Sequence, residues 1–311
     1  MEHDALHSYY RFYTAENGCT EDMRTVMGDL RCSGMASLVP DIVFAAPNGH
    51  ELKLQLLRPE LHHEEGMPAH APAPLIVFVQ GSAWTNPNAH NEIPQLSEFA
   101  RAGYVVASVT HRPSYEAPFP ACLIDVKSAI RFLRAHADEY GIDPTRVAIW
   151  GTSSGGNLSL LVAATEGMAE FKQGEYLDQP SCVQAVVDFF GPSDPVEMMH
   201  LRGIDMSALA SSNMKIIYNL IDGIEGDAEG RMNRLAPATY FKDGMQLPPH
   251  LIMHGDCDSV VPFSQSADYY RLLRERGQVA HFVRVAGAEH ERRFWSQAVL
   301  NEVSAFLRAY L

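Results

Sequence analysis

The chain has 311 residues, a formal net charge of −14 at pH 7 and, from its composition, an isoelectric point near 5.4. That length suits one large α/β domain or two small ones, and the acidic balance argues against nucleic acid or an anionic membrane as a partner. Five cysteines without zinc or disulfide spacing, no apolar leader at the start and no apolar run long enough to span a membrane predict a cytoplasmic protein with reduced thiols.

The amino-terminal residues 1–37 are polar and helix-prone. They are expected to form an arm packed on the domain, a flap over the functional site or a dimer contact, and the sequence does not choose between these. Strand-like runs follow at 40–46 and 51–57 and suit an antiparallel sheet edge. Residues 61–74 then predict a surface loop, where the neighbours His62 and His63 rarely complete a metal site. We expect neither a metal nor an organic cofactor.

Apolar runs and helical patterns alternate through the rest of the chain. Further strands are predicted at 74–80, 104–110, 146–150, 183–189, 249–254 and 280–286, and helices at 92–102, 119–139, 154–165, 263–276 and 293–310. The later strands are apolar throughout, which is typical of parallel strands buried on both faces. The pattern predicts one α/β domain over residues 1–311, with a mostly parallel eight-stranded sheet and helices on both faces.

One strand runs into Gly151-Thr152-Ser153-Ser154-Gly155, and an apolar helix follows at once. A tight strand-to-helix turn with this Gly-x-Ser-x-Gly pattern strains the central residue and lifts its side chain clear of the sheet. The turn also sets Ser153 at a helix N-terminus, where free N–H groups favour developing negative charge. Ser153 is therefore the candidate nucleophile, with the Ser154 N–H as one donor to an oxyanion.

A serine nucleophile needs a histidine base and an acid to orient it, and this type of turn expects them in the order Ser, acid, His. Asp258 follows the strand-like run at 249–254, and His290 follows the run at 280–286. Residues just past the ends of parallel strands converge at one sheet edge. We expect His290 to act as the base and Asp258 to orient it. Asp256 is a second candidate acid, and either aspartate also suits a turn or a helix cap.

Around these motifs lie further segments that carry a family resemblance. They are Ala102-Gly103-Tyr104-Val105-Val106, His111-Arg112-Pro113, Pro118-Phe119-Pro120-Ala121 and the run from Gly141 to Val147. From about Pro74 to Leu311 the chain resembles the α/β-hydrolase family, in particular the hormone-sensitive-lipase type. It is more similar still to bifunctional feruloyl and acetyl-xylan esterases. His254-Gly255-x-x-Asp258-x-x-Val261-Pro262 matches the family's acid motif and favours Asp258 over Asp256.

The loop after the strand at 74–80 departs from the family pattern. Many relatives carry His-Gly-Gly-Gly where this chain has Gln80-Gly81-Ser82-Ala83. The resemblance implies that backbone N–H groups of Ser82 and Ala83 join Ser154 in an oxyanion hole, because such donors do not require glycine. Trp84 follows, either to stack on a sugar or aromatic acyl group or to close the sheet end as a rim residue.

Residues 191–240 interrupt the alternation between two strands and predict a small lid or pocket wall. The segment is rich in methionine and other apolar residues, which either pack as ordinary helices or form an adaptable wall for an acyl group. These residues are Met198, Met199, Leu201, Met206, Leu209, Met214, Ile216 and Ile217.

The resemblance implies a serine carboxylesterase for short-acyl esters, chiefly acetyl and also feruloyl, of plant cell-wall oligosaccharides. An alternative is a small-ester or amide hydrolase of the same fold, because the chemistry is shared and only the pocket decides. A non-catalytic ligand receptor is disfavoured, since no triad member is missing. The expected partner is a small-molecule or oligosaccharide ester, and an exposed edge strand near 280–286 would allow a homodimer.

Overall fold

The computed structural model describes residues 34–60, 71–211 and 215–311. Within these ranges eight strands form one sheet in the order β1-β2-β4-β3-β5-β6-β7-β8. The strands are β1 Ala36–Ala45, β2 Leu52–Pro59, β3 Ala73–Val79, β4 Val105–Val109, β5 Ile142–Thr152, β6 Ala185–Phe189, β7 His250–Gly255 and β8 Ala280–Val285. Each predicted strand is present, with bounds shifted by a few residues.

The strands that pair in parallel are more deeply buried than the strand at the antiparallel edge. β1 and β2 pair antiparallel, and β2 pairs antiparallel with β4. The five other pairings, from β4–β3 to β7–β8, are parallel. All five residues of β4 and of β6 are buried, whereas β1 alternates with exposed positions. The predicted antiparallel edge and mostly parallel sheet are therefore confirmed.

Helices cover both faces of the sheet. They are α1 Ile93–Arg101, α2 Ala121–Ala135, α3 Ala137–Tyr140, α4 Ser154–Ala164, α5 Pro195–Leu201, α6 Lys215–Ile221, α7 Ala228–Asn233, α8 Phe263–Glu275 and α9 Gln297–Tyr310. An apolar core lies on each face of the sheet. Successive side chains of a strand point to opposite faces, so β3 contributes residues to both cores. Its Leu75, Val77 and Val79 pack with the α2 and α4 side, while Ile76 and Phe78 pack with the α1 and α9 side.

Two predicted helices differ from the structure at their ends. The predicted helix 119–139 is divided at His136, whose ring Nδ1 lies 2.9 Å from the carbonyl oxygen of Phe132. The predicted helix 293–310 begins only at Gln297, because Ser296 caps it by accepting the Val299 N–H. The residues before it form a loop in which Glu291 and Arg293 have positive φ.

The predicted insertion lies between β6 and β7 and contains α5, α6 and α7. Most of its apolar side chains are buried in the core on the α2 and α4 side, which is the ordinary helix packing that the sequence allowed. The buried residues are Met198, Met199, Met206, Leu209 and Ile217. Leu201 and Ile216 remain exposed. Met214, the pair His62 and His63, and residues 1–33 of the predicted arm lie outside the described residues.

No helix in the described part of the chain combines the length and the apolar character needed to cross a membrane.

Candidate active site

Ser153 stands in a strained turn between β5 and α4. Its φ and ψ are 51° and −123°, and its N–H donates to the carbonyl oxygen of Phe189 over 2.9 Å. Only small residues allow strand and helix to approach so closely. A Cβ added to Gly151 would lie 2.1 Å from the carbonyl oxygen of Gly155, and one added to Gly155 would lie 2.0 Å from that of Val79. The turn thus has the geometry of a nucleophile elbow.

The structure brings Ser153, His290 and Asp258 into one hydrogen-bonded line. His290 Nε2 lies 3.0 Å from Ser153 Oγ, and its Nδ1 lies 2.7 Å from Asp258 Oδ2. Asp258 follows β7 and His290 follows β8, so the parallel strand ends bring together residues that are 137 and 32 positions apart. With its Nδ1–H held by a carboxylate, the neutral imidazole offers Nε2 as the acceptor for the serine proton.

The Asp258 carboxylate is fully buried but has many donors around it. Its Oδ1 accepts the N–H groups of Val260 and Val261 over 2.7 and 2.9 Å. Burial by itself would raise the pKa of Asp258, yet the hydrogen bonds from His254, His290 and Val261 hold that pKa well below its usual range. Asp258 is therefore ionised at neutral pH.

His254 supports the acid Asp258. It belongs to the acid motif of the sequence, but no role was predicted for it. It is fully buried at the end of β7, with Nδ1 2.7 Å from Ser266 Oγ. Its Nε2 lies 3.1 Å from the Val261 carbonyl oxygen and 3.3 Å from Asp258 Oδ2. A carbonyl only accepts, so Nε2 carries the proton and faces the carboxylate. A histidine that ends an apolar strand four residues before the acid was the available signal.

Asp256, the second candidate acid, lies apart from this line. Its Oδ1 accepts the Gly287 N–H over 2.7 Å, and its Oδ2 lies 3.4 Å from Nε of Arg284. It thus joins the loop after β7 to the end of β8. The structure places Asp258, and not Asp256, against His290.

The expected oxyanion donors need one correction. The Ser82 N–H donates to Ser154 Oγ over 2.9 Å, so this N–H is already engaged and Ser82 does not fit the role. Ala83 is exposed and has a φ of 49°. Within the described ranges, the N–H groups of Ala83 and Ser154 have no hydrogen-bond acceptor. These two remain as candidate donors, and Ser82 instead fixes the loop by binding Ser154.

The prediction that Trp84 stacks on a sugar or an aromatic acyl group is wrong. Its side chain is 3% exposed, and its Nε1–H donates to Asn157 Oδ1 over 3.3 Å. Asn157, buried in α4, also donates to the carbonyl oxygens of Pro192 and Leu235, each over 2.8 Å. One amide therefore joins the loop after β3 to both ends of the insertion. The apolar indole is buried here because its single polar group finds an acceptor.

The glutamine that replaces the family's histidine also shapes this loop. Gln80 accepts the N–H of Asn88 and donates to Oε1 of Glu92 over 3.4 Å. Burial, and next the negative charge of Glu291, raise the pKa of Glu92 to about 7. Glu291 adjoins His290 in sequence, so the negative charge that raises the pKa of Glu92 comes from the loop that carries His290.

An aromatic wall holds the His290 ring. Phe190, with a φ of 44°, lies 4.7 Å from that ring and 4.7 Å from Phe294, measured between centroids. The arrangement provides a nucleophile, a positioned base, a buried acid and two free backbone donors. It is suited to acyl transfer. Among the residues the structure describes, no group of three or more His, Cys, Asp or Glu side chains could hold a metal ion.

Comparisons with known proteins agree with this chemistry. The sequence model of the BD-FAE family matches residues 66–273, more than half of the chain. The chain is 30% identical over 210 residues to the probable carboxylic ester hydrolase LipM of Mycobacterium tuberculosis, a match covering 65% of this chain and 45% of LipM. It spans about half the length of the curated relatives it matches.

Two solved structures are similar over most of this chain. One is a truncated form of a carbohydrate esterase from gut microbiota, with a TM-score of 0.72 and 29% identity. That match covers 89% of this chain and 97% of the other. The second is a bifunctional GH43-CE protein from Bacteroides eggerthii, with a TM-score of 0.73 and 30% identity. It covers 88% of this chain and 35% of the other.

Proposed function

The chain belongs to the BD-FAE family, and from that premise we propose that it is a serine carboxylesterase working through an acyl-enzyme. The observation that carries the proposal is the line of hydrogen bonds from Asp258 through His290 to Ser153. The curated relative named a probable carboxylic ester hydrolase supports the reaction class.

In the first half-reaction, Ser153 Oγ attacks the ester carbonyl while His290 Nε2 takes its proton. The carbonyl oxygen becomes an oxyanion, to which the N–H groups of Ala83 and Ser154 donate. Asp258 stabilises the imidazolium that forms. The tetrahedral intermediate then collapses, the carbon–oxygen bond to the alcohol breaks, and His290 returns the proton to the departing alkoxide.

In the second half-reaction, a water molecule gives its proton to His290 and attacks the acyl carbon of the Ser153 ester. The same two donors receive the second oxyanion. Collapse releases the carboxylic acid and returns the proton from His290 to Ser153 Oγ.

For the substrate we propose short-acyl esters of plant cell-wall oligosaccharides, chiefly acetyl and secondarily feruloyl. The structural relative described as a carbohydrate esterase supports an ester on a sugar. The resemblance to feruloyl and acetyl-xylan esterases is the reason that we narrow the proposed substrate to esters of plant cell-wall sugars. Cys122, Cys182 and Cys257 are free thiols, which supports the cytoplasmic setting that we also propose.

The test compares acetate release from acetylated xylo-oligosaccharides with hydrolysis of 4-nitrophenyl acetate, butyrate and octanoate. The wild type should cleave the acetate esters fastest, and Ser153→Ala should lower kcat by a factor on the order of 10⁶. Ser97→Ala, at a serine of α1 outside the hydrogen-bonded line, is the matched control and should keep full activity. A phosphonate inhibitor should label Ser153 and no other serine.

Each outcome has a separate meaning. Retained activity in pure Ser153→Ala would remove the serine mechanism. Cleavage of nitrophenyl esters without acetate release from the oligosaccharides would leave a small-ester or amide hydrolase. No activity and no phosphonate labelling would leave a ligand-binding protein on a hydrolase fold.

A further inference from the structure

The loop that follows β4, residues 110–118, is fastened to the loop between β3 and α1, residues 80–92, which we call the oxyanion loop because it carries Ala83. The N–H of Ser114 donates to the carbonyl oxygen of Trp84 over 2.8 Å, one residue after the candidate donor Ala83. The hydroxyl of Ser114 lies 3.4 Å from the carbonyl oxygen of Ile216 in α6. The next residue, Tyr115, therefore lies on a segment that is joined to both the oxyanion loop and the insertion.

Tyr115 is 59% exposed, and it is the one aromatic residue among the exposed large apolar side chains of the described residues. Exposed aromatic side chains contribute much of the contact energy at interfaces, so this ring, bonded through its hydroxyl to Asn86 of the loop after β3, is a candidate contact for a substrate. Ile216, 44% exposed, is joined to the same loop through its carbonyl oxygen. Two exposed apolar side chains thus lie on segments that Ser114 joins.

One hydrogen bond holds the Tyr115 side chain, and contacts of its neighbours hold the loop on either side of it. Its hydroxyl oxygen accepts a hydrogen bond from Asn86 Nδ2 over 2.6 Å. The next residue, Glu116, pairs with His50 at 2.8 Å. Before it, Arg112 is bound to Asp125 of α2 through both its backbone N–H (2.8 Å) and its guanidinium (2.7 Å). Because its hydroxyl is hydrogen-bonded and its loop is fastened, the Tyr115 side chain loses less conformational entropy when a ligand stacks on it.

The polar atoms at this junction match hydroxyl groups. Because the Tyr115 oxygen accepts from Asn86, its own O–H stays available as a donor. Asn86 uses its amide N–H in that bond, so its Oδ1 stays available as an acceptor. A ring with an apolar face, flanked by one donor and one acceptor, suits a pyranose, which has C–H faces and hydroxyl edges.

We propose that Tyr115, supported by Asn86 and Ile216, forms the subsite for the sugar ring that carries the scissile ester. This inference rests on the proposed function and adds the residue that distinguishes a sugar ester from a small one. It also moves to Tyr115 the stacking role that the sequence suggested for the buried Trp84.

The experiment measures kcat and KM for two acetate esters, ethyl acetate and an acetylated xylo-oligosaccharide. Tyr115→Ala should raise KM for the oligosaccharide about tenfold or more, with kcat for ethyl acetate unchanged within twofold. Tyr115→Phe keeps the ring and should lose less. Leu177→Ala, another exposed apolar side chain at 42%, is the matched control and should change neither ester.

A second measurement separates the subsite from the chemistry. Xylotriose binding to the Ser153→Ala protein is measured by calorimetry, with and without Tyr115→Ala. Binding that is lost with Tyr115→Ala supports the subsite even if no ester is cleaved, in which case only the proposed function fails. If ethyl acetate is cleaved but xylotriose does not bind, or if Tyr115→Ala alters both esters equally, the subsite is refuted while the esterase assignment stands.

Discussion

Replacing Asp188 with asparagine should make the stability of the protein less dependent on pH. Asp188 lies in β6 and is 1% exposed; its Oδ1 accepts the Gly191 N–H over 3.0 Å, and its Oδ2 has no partner among the described residues. Burial raises the pKa of Asp188 to about 8, against a small lowering by the Gly191 hydrogen bond. The native protein thus holds a neutral carboxylic acid at neutral pH.

The pKa of Asp188 in the folded and unfolded chain sets how the free energy of unfolding changes with pH. The folded pKa lies above the ordinary value of 3.8, so the stability due to protonated Asp188 is complete below about pH 3.8 and is lost as the pH rises through 8. Each pH unit in that window costs about 1.4 kcal/mol, and the slope halves where the pH reaches the folded pKa. Between pH 6 and pH 8 the wild type should lose about 2 kcal/mol relative to Asp188→Asn.

The assay is urea unfolding at pH 6 and pH 8, followed by tryptophan fluorescence. Trp150 is fully buried and its ring lies 5.1 Å from that of Phe189, so it reports on the region next to Asp188. Other groups with altered pKa values, such as Glu92 and His250, are present in both proteins and cancel in the difference. Asp243→Asn, at an exposed carboxylate, is the control for the loss of one negative charge.

A stability difference between Asp188→Asn and the wild type that stays constant from pH 6 to pH 8 would refute the reasoning. It would mean that Asp188 ionises in the folded protein about as easily as in the unfolded chain.

Three further predictions follow. Asn157→Ala removes three buried hydrogen bonds and should destabilise the protein by about 3 to 5 kcal/mol in urea unfolding. Gly151→Ala places a Cβ 2.1 Å from the Gly155 carbonyl oxygen and should lower the soluble yield or the melting temperature sharply. Asp258→Asn should lower kcat on 4-nitrophenyl acetate by about 10⁴-fold, because the amide cannot hold the His290 tautomer.

Matched variants make these results interpretable. Asn301→Ala, at an exposed position in α9, should cost little stability, and an equal loss at Asn157 and Asn301 would contradict the bridging role. Gly230→Ala in α7, where the atom nearest the added Cβ is an oxygen of the Asp227 side chain at 3.0 Å, should be much milder than Gly151→Ala. Asp256→Asn should keep most of its activity, and a larger loss than in Asp258→Asn would overturn the assignment of the acid.

Much of the fold was predictable because burial imposes a local pattern. Strands buried on both faces must be apolar throughout, and helices between them must show a repeating apolar face, so eight strands could be placed from sequence. The turn at Ser153 was predictable for a similar reason, since strand and helix approach too closely there for any Cβ at Gly151 or Gly155.

The sheet, the position of Ser153 at its edge and the two strand ends that carry Asp258 and His290 could all be predicted from the residues alone. Which backbone N–H groups stay free, and which aromatic ring stays exposed, depends on contacts that form only when the chain folds. Ser82 is occupied because Ser154 Oγ lies within hydrogen-bond reach, and Trp84 is buried because Asn157 satisfies its indole. Tyr115 is left open instead. Burial patterns are local in sequence, whereas a hydrogen-bond partner 72 or 73 residues away exists only once the chain has folded.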